Sequence, residues 1–223
     1  EMCIRDRTEI VEQENRSMIV NMLYLRKSLE RARERCRKLE EDAVELTEKS
    51  ERDPLTGLAN RYRLTNDSEK IVEQCFAEHK PLSFEILDID YFKQYNDRYG
   101  HQAGDDCVRA IAALIRQMES DQIFCARYGG DEFVIIYSGM SAEEVCERAE
   151  KLRQDVMALQ IEQRYAEGSF GVTISQGICH DIPSNGNKNW DFLHVADQAL
   201  YRVKRRGRNR LCMTDIHGRE IEV

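Results

Sequence analysis

A pair of glycines between two short apolar runs constrains the fold of this chain most. Residues 123–126 and 134–137 are rich in strand-forming side chains, and Gly129-Gly130 stands between them. Glycine readily takes the positive φ that tight hairpin turns require, so the stretch predicts a β-hairpin closed by a two-residue Gly-Gly turn. Asp131 and Glu132 follow at once. A turn without side chains lets another molecule approach the backbone, and adjacent carboxylates suit divalent-metal and phosphate chemistry.

A second acidic cluster follows another apolar run. Residues 82–87 lead directly into Asp88-Ile89-Asp90, which predicts a core strand that delivers carboxylates at its C-terminal end. If the strand continues, Asp88 and Asp90 share one face while Ile89 points into the core. The alternative is that both acids only end the strand and cap the next element. The carboxylates of the hairpin favour the metal-binding interpretation.

Three more segments add to these two clusters. They are residues 53–61 (DPLTGLANR), 172–178 (VTISQGI) and 196–209 (ADQALYRVKRRGRN). In order and spacing the five segments resemble the GGDEF family of diguanylate cyclases over residues 50–215. The resemblance implies that the chain condenses two GTP molecules into cyclic di-GMP, releases two pyrophosphates and acts as a dimer in second-messenger signalling.

The resemblance implies roles for the acidic residues. Asp88 and Asp131 match carboxylates that hold Mg²⁺, for which Mn²⁺ can substitute, and the carbonyl of Ile89 matches a further oxygen ligand. The bound metal would neutralise the triphosphate and lower the pKa of the attacking ribose hydroxyl. Asp131 or Glu132 would accept the proton, and the spacing does not decide between them. Lys93 matches a catalytic position near the phosphates.

Other matched positions surround the nucleotide. Asn96 and Asp105 match positions that recognise the guanine edge, where a carboxylate that accepts from guanine N–H groups rejects adenine. The resemblance implies six further substrate contacts, which are Leu55, Phe92, Gly129, Gly130, Lys204 and Arg208.

Several of these residues also have a purely structural interpretation. Asp105 could cap the N-terminus of a helix, and the basic residues 204–208 could complement a helix C-terminus that ends at Gly207. Phe92 and Tyr95 could both be core residues. Joint occurrence at the family's spacing favours the functional interpretation over these alternatives.

One family feature is absent from the sequence. Many members carry an R-x-x-D product-inhibition site shortly before the glycine pair, but here Ser120 and Ile123 stand at its two charged positions. We therefore do not expect feedback inhibition through that site. Asp105 is retained, which argues against the family branch that makes mixed adenine–guanine products.

Residues 8–51 predict a coiled-coil helix. No glycine or proline occurs between Glu9 and Asp53, and apolar residues recur at heptad spacing. With asparagine at one a position, the pattern favours a parallel, two-stranded homodimer; a single amphipathic helix packed on its own domain is the alternative. The d positions are Val11, Met18, Leu25, Ala32, Leu39 and Leu46, and the a positions are Asn15, Met22, Leu29, Cys36 and Ala43.

The first seven residues do not fit the heptads. They read EMCIRDR and resemble the translation of a sequencing adapter. We expect residues 1–7 to be a non-native leader, and an upstream sensor or membrane region to be missing; a native start is the alternative.

Composition limits the remaining partners. The net charge of −8 argues against nucleic-acid binding. The eight cysteines form no C-x-x-C pair, so we expect neither a zinc site nor a disulfide framework. Reduced thiols favour a cytoplasmic protein, or the cytoplasmic part of a membrane-anchored one.

The order of elements read from the sequence predicts an α+β fold. Helices flank a mixed sheet that contains the central hairpin, a ferredoxin-like arrangement shared by the family's palm-like cyclase domain. We place this catalytic domain at residues 52–223. The alternative functions are a non-catalytic GTP-binding receptor domain and a coiled-coil interaction protein.

Overall fold

The structure, a computed structural model, describes residues 18, 22, 25–31, 33–38, 51–162 and 171–222. The chain divides into two units, Glu1–Ser50 and Glu51–Val223. Among the described residues, no helix has both the length and the apolar character needed to cross a membrane.

In the first unit, the described residues are helical. Four of them occupy predicted seam positions and are more than half exposed in the single chain: Met18 (57%), Met22 (60%), Leu25 (64%) and Leu29 (52%). Cys36, at another seam position, is exposed as well. The leader 1–7 and six further seam positions lie outside the described residues, namely Val11, Asn15, Ala32, Leu39, Ala43 and Leu46.

The described residues of the second unit form helices on both sides of one sheet. The helices are α1 (Arg61–Glu78), α2 (Phe92–Tyr99), α3 (His101–Arg116), α4 (Ala142–Ala158) and α5 (Asn189–Arg205). The strands are β1 (Leu82–Ile89), β2 (Ile123–Gly129), β3 (Glu132–Ser138), β4 (Ile174–Asp181) and β5 (Leu211–Thr214). The strand order is β2-β3-β1-β4-β5, with β5 parallel to β4 and the other neighbours antiparallel. This mixed sheet confirms the predicted α+β fold.

Strand β1 lies at the centre of the sheet and is buried along its whole length. Its side chains alternate between two apolar cores. Leu87 belongs to the core formed with α3 and α4, whereas Ile86 belongs to the core formed with α1 and α5. Asp88 is two residues after Ile86, so it lies on the face that α1 and α5 cover.

A buried polar group fixes β1 between its neighbours. The hydroxyl of Tyr137 on β3 donates to Oε2 of Glu85 at 2.6 Å, and Nε2 of Gln176 on β4 donates to Oε1 at 2.7 Å. Burial raises the pKa of Glu85 above its usual range. Since a slip of either strand by one residue would leave these groups unpaired, they specify the register of the sheet.

Helix α5 packs directly on β4 at Gly177. A Cβ atom at this position would lie 2.2 Å from both the carbonyl oxygen of Ala196 and the amide nitrogen of Leu200. Glycine therefore allows a close helix–sheet approach that other residues would prevent. The C-terminal end of α5, with Lys204, is held near the end of β1 as a result.

One detail of the sequence prediction is wrong, and so is one of its structural alternatives. The hairpin connection is Gly130-Asp131, because Gly129 still pairs with Glu132 after a bulge that follows Arg127. Of the two glycines only Gly130 takes a positive φ, of +45°. Helix α3 begins at His101, so Asp105 lies inside it and is not an N-cap.

Candidate active site

Two strands and one helix bring charged residues together at the end of β1. Asp88 stands directly opposite Glu132 of β3, so the two side chains share one face of the sheet. Lys204 reaches across from α5, and its Nζ lies 2.8 Å from Oδ2 of Asp88. The sheet register and the packing of α5 thus assemble three of the predicted residues.

The carboxylates in this cluster outnumber the cation. Burial raises the pKa of Asp88 to about 6, although the hydrogen bond and the charge of Lys204 lower it; the charges of Asp131 and Glu132 raise it further. Burial also raises the pKa of Glu132, against a lowering effect of Lys204. An additional cation at this position would therefore be stabilised.

The hairpin turn holds Asp131 beside the end of β1. The amide of Ile89 donates to the carbonyl oxygen of Asp131 at 3.3 Å. A Cβ atom at Gly129 or at Gly130 would meet no other atom within 4 Å, so the space over the turn is open. The predicted metal residues Asp88, Ile89 and Asp131 therefore lie next to one another, beneath an accessible backbone.

An arginine that the sequence analysis did not assign supports this turn. The guanidinium of Arg127 donates to the carbonyl oxygen of Gly130 from Nε at 3.1 Å and from a terminal nitrogen at 2.6 Å. It also contacts both carboxylate oxygens of Asp53, at 3.0 and 3.2 Å. The hydrogen bonds of Thr56 and Arg127 outweigh the burial of Asp53 and lower its pKa. Arg127 therefore joins the segment after the first unit to the hairpin turn.

Asp90 is held by partners of a different kind. It accepts from the hydroxyl groups of Thr173 at 2.7 Å and Ser175 at 2.6 Å, and from the amide of Asn209 at 3.1 Å. Asp88 and Asp90 therefore differ in task although they alternate along the chain. Asp90 anchors the turn after α5 to the end of β1.

The turn after α5 carries Arg208. Its guanidinium lies over the ring of Tyr91, with the central carbon 4.3 Å from the ring centroid. Lys93, in the first turn of α2, is exposed and makes no ion pair among the described residues. The structure thus places Arg208 near the end of β1 and leaves the side chain of Lys93 in solvent.

The predicted guanine-binding residues meet at Gly104. A Cβ atom at Gly104 would lie 1.8 Å from Oδ1 of Asn96 and 3.3 Å from the ring of Phe92, so a larger residue would require the side chain of Asn96 to move. Oδ1 of Asn96 is buried and has no hydrogen-bond partner within the described structure. Asp105, next to Gly104, is half-buried. Leu55 and Phe92 pack against the same apolar core.

Gly104 and Arg127 are not among the site residues predicted from the sequence. A glycine inside a helical pattern signals close packing, and this signal was present at Gly104. Arg127 carried no such signal, because its partner Asp53 is 74 residues away.

The acidic cluster suits a metal ion that is coordinated partly by the protein and partly by water and substrate phosphates. In the described ranges, no three His, Cys, Asp or Glu side chains are arranged to hold a metal ion. Asp88 and Asp131 supply two carboxylates and Ile89 a carbonyl, an oxygen-only set. Magnesium is usually bound by one or two carboxylates, retained waters and substrate phosphates, so this set suits it.

A separate cavity of about 580 Å³ lies between α1 and β2. It includes Ser120 and Ile123, where the product-inhibition site would stand. Two of its lysines are paired with acids, Lys70 with Asp67 at 3.0 Å and Lys80 with Glu78 at 2.6 Å.

The chain is similar to proteins of known activity. It is 36% identical over 186 residues to diguanylate cyclase DgcP of Pseudomonas aeruginosa, covering 80% of this chain and 27% of that protein. It is also 36% identical to a diguanylate cyclase of Vibrio cholerae, covering 77% of this chain and 53% of that protein. The chain thus spans about a quarter to a half of the length of these relatives.

A solved structure and a family model agree with this similarity. The coiled coil and GGDEF domain of DgcB from Caulobacter crescentus, in complex with c-di-GMP, superposes with a TM-score of 0.77 at 30% identity and covers 85% of this chain and 99% of that chain. The family model described as "Diguanylate cyclase, GGDEF domain" matches residues 50–210. The chain therefore belongs to the GGDEF family.

Proposed function

We propose that residues 52–223 form a diguanylate cyclase domain, which condenses two GTP molecules into cyclic di-GMP and releases two pyrophosphates. The observation that carries this proposal is the Asp88–Glu132 pair beside the open Gly129-Gly130 backbone, with Lys204 facing it. Such an arrangement provides cation-binding oxygens, a base and open space over the backbone for a phosphate group. The relatives named diguanylate cyclases support the same activity.

Asp88, Asp131 and the carbonyl of Ile89 would hold Mg²⁺, with Mn²⁺ as a substitute. Bound metal would neutralise charge on the triphosphate and lower the pKa of the attacking hydroxyl. Lys204 pairs with Asp88 and would turn towards the phosphates when a divalent cation takes its place.

Glu132 is the better candidate for the proton acceptor. Burial raises its pKa, which brings the carboxylate closer to the pH at which a general base works best. It would take the proton of the ribose 3′-hydroxyl as that oxygen bonds to the α-phosphorus of the second GTP. The bond from the α-phosphorus to the bridging oxygen breaks, and pyrophosphate leaves.

Asn96 and Asp105 would recognise guanine. The carboxylate of Asp105 can accept from the guanine N–H groups, and the buried oxygen of Asn96 is a further acceptor without a protein partner. Leu55 and Phe92 would supply the apolar wall of this pocket. The pocket thus offers acceptors where guanine has donors.

Arg208, Lys93 and the backbone at Gly129 and Gly130 would contact the phosphates. The N-terminus of α2 adds to them, because Tyr91 at its cap position makes no side-chain hydrogen bond to the first turn. Uncapped amides at a helix N-terminus favour phosphate groups.

Cyclisation requires two domains, since each would hold one GTP. The exposed seam of the first unit offers a means of pairing, because burial of its apolar residues against a second copy would stabilise a coiled coil. We place the coiled coil at residues 8–51, with a sensor region upstream. A domain that uses GTP and keeps reduced thiols would work in the cytoplasm, without a nucleic-acid partner.

The test is product analysis of the full chain by liquid chromatography and mass spectrometry after incubation with GTP and Mg²⁺. We expect cyclic di-GMP from the wild type, none from Asp131→Ala, and wild-type amounts from the exposed control Asp106→Asn. GTP binding without product, also after the chains have been forced together by a fused dimeric zipper, would indicate the receptor alternative.

A further inference from the structure

Tyr91 and Arg208 form a contact between the end of β1 and the turn after α5. The guanidinium carbon lies 4.3 Å from the ring centroid, and one terminal nitrogen donates to the phenol oxygen at 3.2 Å. The guanidinium therefore lies over the face of the ring, and one of its edge nitrogens donates to the phenol hydroxyl. This double contact restrains both the position and the rotation of the cation.

Both residues take backbone conformations that non-glycine residues rarely adopt. The φ of Tyr91 is +57° and that of Arg208 is +61°. The structure holds each of them by hydrogen bonds: the carbonyl of Tyr91 accepts from Tyr95, and the amide of Arg208 donates to Val203. Strained backbone of this kind persists where the surroundings enforce it, and it often marks functional sites.

The backbone on the other side of the contact is fixed as well. Asp90, directly before Tyr91, accepts from the amide of Asn209, directly after Arg208. Consecutive residues of one segment thus hold consecutive residues of the other. The carboxylate of Asp90 binds the backbone N–H of Asn209, and the side chain of Tyr91 contacts that of Arg208. Among the described residues, the guanidinium edge turned away from the phenol makes no further hydrogen bond.

We infer that Tyr91 is a positioning residue, which holds the guanidinium of Arg208 ready to bind the phosphates of the nucleotide. This inference rests on the proposed function. An arginine that is already ordered loses less side-chain freedom when it binds. Its contact with Tyr91 leaves the N–H groups turned away from the phenol free for phosphate oxygens. The residue acts through Arg208 and does not itself contact the reacting atoms.

The test compares Tyr91→Leu, Tyr91→Phe, Arg208→Ala and the double variant Tyr91→Leu/Arg208→Ala in the full chain. We expect Tyr91→Leu to raise the KM for GTP by about tenfold with kcat within about twofold, and Tyr91→Phe, which keeps the ring, to recover most of the loss. The double variant should be no weaker than Arg208→Ala alone, because the tyrosine acts only through the arginine. Tyr201→Leu is the matched control, since Tyr201 is also exposed and also lies against an arginine, Arg205.

Calorimetry with a non-reactive GTP analogue and Mg²⁺ separates this inference from the proposed function. If the wild type binds the analogue but makes no product, the dissociation constants of the same variants still report the coupling. Additive effects of the two substitutions, or wild-type affinity in either Tyr91→Leu or Arg208→Ala, would overturn the inference alone. A wild type that binds no nucleotide would overturn both, and thermal unfolding of Tyr91→Leu must match the wild type for a positioning role to hold.

Discussion

The ammonium group of Lys204 lies 2.8 Å from Oδ2 of Asp88, so the chain places its own cation among the carboxylates at the end of β1. This cation compensates them only in part, since the pKa of Asp88 stays raised to about 6. A lysine on a flexible stem can leave when a divalent ion approaches, without any movement of the sheet.

The raised pKa of Asp88 makes stability depend on pH. The pKa of Asp88 in the folded protein, about 6, lies above the ordinary value of 3.8. The stability that its protonated form contributes is therefore fully present below pH 3.8 and is lost as the pH rises through 6. With a chelator present, the free energy of unfolding of the wild type should therefore fall by up to about 3 kcal/mol, relative to that of Asp88→Asn, between pH 4 and pH 7. Urea unfolding at both pH values measures this difference. If this difference in the free energy of unfolding does not change with pH, the pKa of Asp88 is not raised in the folded protein.

The two glycines of the hairpin should respond differently to alanine. Gly129 has no positive φ and open space at its Cβ position, so Gly129→Ala should change the free energy of unfolding by less than about 0.5 kcal/mol. Gly130→Ala should cost about 1–2 kcal/mol, because φ is +45° there. Both should weaken GTP binding. If Gly129→Ala binds the nucleotide as wild type does, the backbone at that position is not a phosphate contact.

Gly104 should be intolerant of any side chain. Gly104→Ala places a Cβ atom 1.8 Å from Oδ1 of Asn96, and we expect it to cost about 1–3 kcal/mol. The double variant Gly104→Ala/Asn96→Ala removes the clash, so its stability should recover while its GTP affinity should not. Chemical denaturation and nucleotide titration of the two variants and the wild type check the two halves of this expectation. Recovery of both properties would show that Asn96 has no part in binding.

Neighbouring aspartates separate guanine recognition from general charge. Asp105→Asn replaces an acceptor oxygen with a donor and should raise the KM for GTP by roughly 10- to 100-fold, the usual effect of losing a charged hydrogen bond. Asp106→Asn, exposed and paired only with Arg109, should have no effect. Equal effects of the two changes in steady-state kinetics would argue against a guanine contact at Asp105.

The Asp53–Arg127 ion pair should contribute strongly to the free energy of unfolding. Both side chains are mostly buried, at 17% and 15% exposure, so Arg127→Gln should cost about 3 kcal/mol. A double-mutant cycle with Asp53→Asn should give a coupling of about 1–3 kcal/mol. Because the pKa of Asp53 is lowered, this coupling is present above pH 3.8 and is lost as the pH falls through the folded value. A coupling near zero at pH 7 would mean that the pair is only incidental.

Local patterns in the sequence were sufficient for part of this site. The apolar run before Asp88 predicted β1, and the apolar runs around the glycines predicted the hairpin, because strand periodicity and turn chemistry are local properties. The bulge after Arg127 moved the turn by one residue, which no local pattern indicates. The alternative interpretation of Asp105 as an N-cap was wrong, because α3 starts three residues before Gly104.

Contacts between distant segments were beyond the reach of the sequence. Tyr91 and Arg208 are 117 residues apart, and Asp53 and Arg127 are 74 apart. Both contacts depend on how strands and helices meet in space, and neither has a periodic signature. The roles of individual site residues came from resemblance to a family, not from the physics of the segments that carry them.

The antiparallel pairing of β1 with β4 gives the domain two ends of different character. Ile89 pairs with Ile174 at the end that holds the carboxylates, and Leu82 pairs with Asp181 at the other. The loop 182–188 leaves β4 at this second end, roughly 23 Å away for strands that rise about 3.3 Å per residue. A reporter or an extra domain inserted at that loop would leave the acidic cluster undisturbed. The loop is therefore a suitable insertion site.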